Sequence, residues 1–398
     1  MRTSRPHIQN QTLPHLRALQ SLRGVAALLV LAFHIAGVQR LHIAPDAEAE
    51  LALLSGIWDR GYMGVDLFFV ISGFVMVYVT RGLNSGSAKS SAYTLKQVGR
   101  FLYARMTRIY PLWWVFSGLM ALYFWIAYHV PADPYRISGA GEVVPYLAKS
   151  FLLIPQHHLP VLSVGWTLIH EMYFYIVFAG ILLLPKRALP LALAAWAACI
   201  ALAFYAGLTS SSQSIAQSFP EVLFSLLSLE FIGGAFVGYL VTRGTTRAAG
   251  LCAIAGAILI VVGCLVFTSA EGTLGLWGRV AVFAVPCSLL VYGLTGLETR
   301  GHFHMPDWIV QIGNWSYSLY LSHILVLSGI VMILEKLVPV LPKSLGNVVS
   351  LGAPGPIDNL VFAAMGGLGC IVFAGLSYKF IERPLLRISR RILKKEMV

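Results

Sequence analysis

An all-α, polytopic transmembrane bundle of about ten helices is the fold class this sequence predicts. Three observations carry it: the chain is very apolar, its charges fall in clusters, and the stretches between the clusters are long. Of its 398 residues 57% are hydrophobic and only 12% charged, with a mean hydropathy of +0.74. A soluble domain carries about twice that charged share. A helix needs about 20 mostly apolar residues to cross the hydrocarbon of a bilayer. Ten such stretches are expected, at residues 18–39, 62–80, 108–129, 164–184, 188–208, 221–241, 249–268, 276–296, 316–334 and 360–380.

Orientation follows from the basic residues, because loops rich in Lys and Arg stay on the cytoplasmic side. With the amino terminus inside, 22 of the 29 basic residues fall on inner segments. Both termini are therefore expected in the cytoplasm. The expected organisation is a single membrane domain over 1–398, with 1–17 as a cytoplasmic arm and 381–398 as a basic cytoplasmic tail. No small-residue cleavage pattern follows the first span, which reads as an uncleaved anchor. The loops 81–107 and 130–163 are too short for a globular module. The net charge of +12 is spread over short inner loops and the tail. Topology explains it, and nucleic acid is not an expected partner. The five cysteines all lie in apolar spans and are expected as free thiols. No metal site is expected.

Ionisable groups inside spans carry an energetic cost and mark functional positions. The first span holds Arg23 and His34, eleven residues and roughly 16 Å apart on nearly one helix face. The second opens with Gly61-Tyr62-Met63-Gly64-Val65-Asp66-Leu67-Phe68-Phe69-Val70-Ile71-Ser72-Gly73-Phe74. It joins a buried acid to glycines that permit close helix approach. Asp66 can orient His34 across that interface, or act as an acid near a helix start. The segment leading into the third span contains Arg105 and Arg108. If it is helical, the two share a face and can grip a phosphate-bearing ligand, although topology alone also places arginines there.

The fourth span opens on Val164-Gly165-Trp166-Thr167-Leu168-Ile169-His170-Glu171. Trp166 suits an interface and can also line a cavity, whereas Glu171 is too deep to serve only as a cap. Glu230, mid-span in the sixth, needs a partner from another helix or must stay protonated. In the ninth, Ser316-Tyr317-Ser318-Leu319-Tyr320-Leu321-Ser322-His323 forms a polar stripe. Tyr317, Tyr320 and His323 can line a cavity or join helices. Glu382-Arg383-Pro384 closes the tenth span, where Glu382 reads as a structural partner of nearby cations.

Together these segments resemble the membrane acyltransferase family usually called acyltransferase family 3, over almost the whole chain. The resemblance rests on Arg23 with His34, the Gly64 to Phe74 run, Arg105 with Arg108, Trp166 with Glu171, the Ser316 to His323 stripe, and Glu382 with Pro384. Many relatives carry two consecutive acids in the fourth-span motif, whereas here Glu171 is followed by Met172. That departure is similar to the exopolysaccharide-modifying branch. Some relatives add a hydrolase-like domain at the carboxyl end, which is not expected here; the membrane core alone, or a separate partner in polysaccharide assembly, would then complete the reaction.

The resemblance implies ten core helices and an enzyme that moves an acyl group, acetyl above all, from cytoplasmic acyl-coenzyme A to a carbohydrate hydroxyl outside. Acyl-coenzyme A enters as donor substrate, with no permanently bound cofactor. Arg105 and Arg108, with Arg23, would hold its phosphates. His34, its tautomer set by Asp66 or Glu171, would serve as general base or as acyl carrier. A transporter or flippase for an amphipathic substrate is the alternative, and the absence of an evident repeat between the halves speaks against it.

Overall fold

A computed structural model describes residues 16–43, 57–82, 91–133, 137, 140–208, 218–267, 275–353 and 356–395. Residues 1–15 of the expected arm and 396–398 of the expected tail lie outside the described residues. The described chain is helical and has no strands. Ten long helices match the ten apolar stretches: α1 (Arg17–Arg40), α2 (Met63–Thr80), α3 (Ser91–Tyr128), α4 (Gly165–Ile181), α5 (Leu189–Tyr205), α6 (Ser228–Thr242), α7 (Ala249–Val266), α8 (Gly275–Thr299), α9 (Asp307–Leu337) and α10 (Ile357–Ser377). A π-helical turn, Tyr378–Glu382, leads into α11 (Arg383–Lys395).

Nine helical stretches among the described residues are long and apolar enough to cross a membrane; α6 reaches that length with the short helix Phe219–Leu223 before it. The exception is α4, whose 17 residues reach about 25 Å, the lower end of what a span needs. Two boundaries differ from expectation. α3 begins at Ser91 rather than 108, so the Arg105–Arg108 segment is helical, and α9 begins at Asp307 rather than 316. The first addition carries Lys96, Arg100, Arg105 and other polar residues, and the second mixes Asp307, Gln311 and Asn314 with apolar residues, so neither reads as an unbroken apolar run.

The apolar side chains have two destinations. α7 turns most of its length outward, with Leu251, Ile254, Ile258 and Leu265 exposed, as expected where lipid replaces water. α2 is central and largely buried between α1, α6, α8 and α4. Its glycines make this possible. A Cβ at Gly64 would run into the Ala26 carbonyl of α1, and one at Gly73 into the Phe231 carbonyl of α6. The backbones therefore approach within the reach of dispersion contacts, which drive helix association in lipid.

Aromatic packing then sets α4 against α2. Phe69, Phe231, Phe174 and Trp196 stack in series across α2, α6, α4 and α5, with successive centroids 4.4, 4.4 and 5.6 Å apart. Such pairs contribute about 0.5–1.5 kcal/mol each beyond their buried area. Ser72 and Glu171 each lie three residues from a member of this stack, so the packing brings them face to face. On the other side of the bundle, α1 and α9 run parallel and touch at Gly24 and Gly313, where a Cβ on either would meet the opposing backbone. Ten residues further along each helix stand His34 and His323.

Candidate active site

Helices α1, α2, α3, α4 and α9 enclose a cavity of about 410 Å³. With the start of α1 set at the bottom, it rises from Leu16, Tyr78 and Val79 to Val65, Thr167 and Tyr320. The stretch of α2 from Val79 up to Val65 covers about 20 Å of that height. Its charged lining consists of Arg23, Arg105, Arg108 and Glu171. Five helices thus converge on one chamber from distant parts of the sequence.

Glu171 accepts a hydrogen bond from Ser72 Oγ at 3.0 Å and another from the Tyr175 hydroxyl one helical turn below. Arg105 stands against Tyr175 and within Coulombic reach of Arg108 and Glu171. Its Nε is buried and has no hydrogen-bond partner among the described residues. Arg23 is surrounded by Arg108, Glu382, Glu171 and Tyr175. Glu382, carried into the bundle by the π-helical turn, accepts a hydrogen bond from Ser318 Oγ at 2.7 Å. It lies in the field of Arg108 and Arg23, so its surroundings include both a serine and the cations expected from sequence. Three guanidiniums face two carboxylates here, and an unsatisfied buried donor is costly. The chamber is therefore suited to an anion that brings several acceptor oxygens.

At the top, Tyr320 donates or accepts with Thr167 Oγ1 at 2.7 Å, and its ring meets Phe68 with centroids 5.7 Å apart. The His323 ring lies 5.9 Å behind it. His34 and His323 form a pair beyond this wall, His323 Nε2 standing 3.2 Å from His34 Nδ1. His34 Nδ1 also faces the Val30 carbonyl at 2.8 Å, and His323 Nδ1 faces the Leu319 carbonyl at 3.1 Å. A carbonyl can only accept, so each Nδ1 carries the proton in the neutral rings. His323 Nε2 then accepts from His34, and the lone pair of His34 is left on Nε2.

Two expected relationships are absent. Asp66 does not orient His34: it is fully buried in an ion pair with Arg279 of α8, receiving Nε at 2.9 Å and Nη2 at 2.8 Å. Glu171 is engaged with Ser72 and Tyr175 and does not bond to His34 either. The partners that set the His34 tautomer are the Val30 carbonyl and His323. Glu230, also fully buried, lies in the field of Asp66 and Arg279. Trp166 does not line the cavity; it packs edge-on against Phe69 and His170.

Sequence reasoning missed Arg279, Ser72, Thr167 and Tyr175. Arg279 stands at the start of the eighth span, where a guanidinium, with an unpaired acid in another span, is itself a pairing signal. The hydroxyls carry no charge and leave no comparable mark. All five cysteines are free thiols.

A helical bundle with an arginine-bearing chamber that rises toward a histidine pair through largely apolar walls defines a multi-pass membrane protein. The chain belongs to the acyltransferase family: the acyltransferase domain matches residues 16–379, nearly its whole length. It is 29% identical to the exopolysaccharide production protein ExoZ of Rhizobium meliloti (strain 1021), over 83% of this chain and 91% of that protein. It is 26% identical to the acyltransferase MdmB of Streptomyces mycarofaciens, over 94% of this chain and 93% of that one. No solved structure matches it. The chain is a membrane acyltransferase.

Proposed function

We propose that this enzyme moves an acetyl or similarly short acyl group from cytoplasmic acyl-coenzyme A to a hydroxyl of a carbohydrate, an exopolysaccharide precursor, on the other side of the bacterial inner membrane. The observation that carries the reading is the chamber itself. It reaches down to the residues where α1 starts, holds three arginines along its wall, and ends one aromatic layer short of His34. The basic residues favour that end as the cytoplasmic one. The similarity to the exopolysaccharide production protein supports a carbohydrate acceptor.

In this reading Arg23, Arg105 and Arg108 bind the donor's phosphates, with the Arg105 Nε among the donors that become satisfied. The extended pantetheine arm follows the cavity upward. His34 Nε2, the ring nitrogen with the lone pair, takes the proton of the acceptor hydroxyl as its oxygen attacks the thioester carbon. The carbon–sulfur bond breaks, and the departing thiolate takes up the proton that His34 accepted. Turnover leaves the enzyme unchanged.

The test is incubation of the purified protein with labelled acetyl-coenzyme A and an oligosaccharide acceptor. Release of free coenzyme A together with label on the acceptor is the expected result. Donor that survives intact while the acceptor stays unlabelled would overturn the proposal.

A further inference from the structure

The chamber leaves unused the most strongly amphipathic segment of the described chain, α11. Its 13 residues, Arg383–Lys395, follow directly on α10 through the π-helical turn and pack beside α3. At 100° per residue, Arg383, Arg387 and Arg391 fall within one 80° arc, and all three are exposed. Ile388 and Ile392 occupy the next arc and are also outward, at 55% and 44% exposure. Leu385, Leu386 and Ser389, on the remaining side, are half-buried. Three sectors thus exist: one basic and open, one apolar and open, one turned to the protein.

Two open sectors of opposite character, side by side, do not suit water alone. The isoleucines continue the outward apolar surface of Leu368, Val372, Leu376 and Phe380 in and just after α10. They would lie among acyl chains. The arginines lie one arc further round, and would there face the headgroups. A helix that lies in the interface with basic and apolar faces binds where anionic lipid supplies the counter-charge.

We propose that α11 is an interfacial helix that binds anionic phospholipid headgroups through Arg383, Arg387 and Arg391. Charge complementarity selects the lipid: a planar guanidinium pairs with a phosphodiester in bidentate fashion, and a zwitterionic headgroup screens its own phosphate. The site is separate from the chamber, and it stands whether or not the donor is acyl-coenzyme A.

The test uses the purified full-length chain in micelles holding equal amounts of phosphatidylglycerol and phosphatidylcholine, with retained lipid counted by native mass spectrometry. Each basic group at an anionic surface is worth on the order of a fivefold change in partition. The wild type should therefore retain phosphatidylglycerol at least about tenfold over phosphatidylcholine. The triple variant R383Q/R387Q/R391Q should lose that preference, and R383K/R387K/R391K should keep most of it. Raising the salt concentration should abolish it in the wild type, a measurement that does not depend on the variants folding. Equal retention of both lipids by the wild type, or a preference unchanged in the glutamine variant or at high salt, would overturn the proposal.

Discussion

His323 Nε2 approaches His34 Nδ1 at 3.2 Å, and both Nδ1 atoms face main-chain carbonyls of their own helices. The consequence is a one-way hydrogen-bond chain, from His34 to His323 to the Leu319 carbonyl, that leaves a single lone pair at His34 Nε2. Replacing His34 with Ala removes that lone pair. Turnover should fall by roughly a hundredfold or more in a protein that still inserts and elutes as a single species, as expected for loss of a general base. Near-normal turnover in that variant would exclude the role.

In the proposed mechanism His323 would act only through His34, which would make it a positioning residue. His323→Ala leaves the Val30 carbonyl as the remaining partner of His34 Nδ1, so the ring loses half of its restraint. kcat should fall by about tenfold with the donor KM unchanged, since an effect confined to the transition state leaves ground-state binding alone. Gln at this position offers an oxygen near the place of Nε2 and should restore most of the rate. Equal loss in the Ala and Gln variants would mean that His323 serves packing alone.

The Asp66–Arg279 pair gives a separate prediction, because it divides catalytic from structural meaning. Arg279→Gln leaves a fully buried carboxylate without its counter-ion, with Glu230 close by. Breaking such a pair costs about 3–5 kcal/mol, so the melting temperature in detergent should drop sharply. The double variant D66N/R279Q removes both charges and should recover much of that loss. Its turnover per folded molecule should lie within about threefold of wild type. A stable but inactive double variant would return Asp66 to the catalytic machinery.

The fold was legible because lipid imposes a simple rule: apolar stretches of about 20 residues bounded by charges, with no edge strands to pair. The chamber was half legible. Arg23, Arg105, Arg108, Glu171, Tyr317 and Tyr320 stand out as polar groups where apolar ones belong, and all six line it. The pairings were not legible. Asp66 has plausible partners on several helices, and nothing local says that Arg279, 213 residues away, is the one. The register of α1 on α9 has a faint signature in retrospect: Gly24 to His34 and Gly313 to His323 share the same ten-residue spacing. Two parallel helices that touch at their glycines meet again at their histidines.

The remaining prediction concerns Arg105 and Arg108, which both line the cavity far below His34. Basic residues at a span end also serve topology, so the variant must keep the charge and change only the geometry. Lys at both positions does so: it preserves the positive-inside signal but replaces a planar fork by a point charge. If the arginines hold donor phosphates, the double variant loses two charge-assisted hydrogen bonds of about 1.5–3 kcal/mol each. That binding is shared by ground and transition states, so the donor KM should rise by more than tenfold while kcat at saturating donor stays close to wild type. The acceptor KM should not move, because in the proposed reading the acceptor meets His34 beyond the other end of the chamber. Acyl-coenzyme A titrations at fixed acceptor, followed by the reverse series, separate the two constants. An unchanged donor KM, or a rise confined to the acceptor, would mean that Arg105 and Arg108 serve topology and that the donor binds elsewhere.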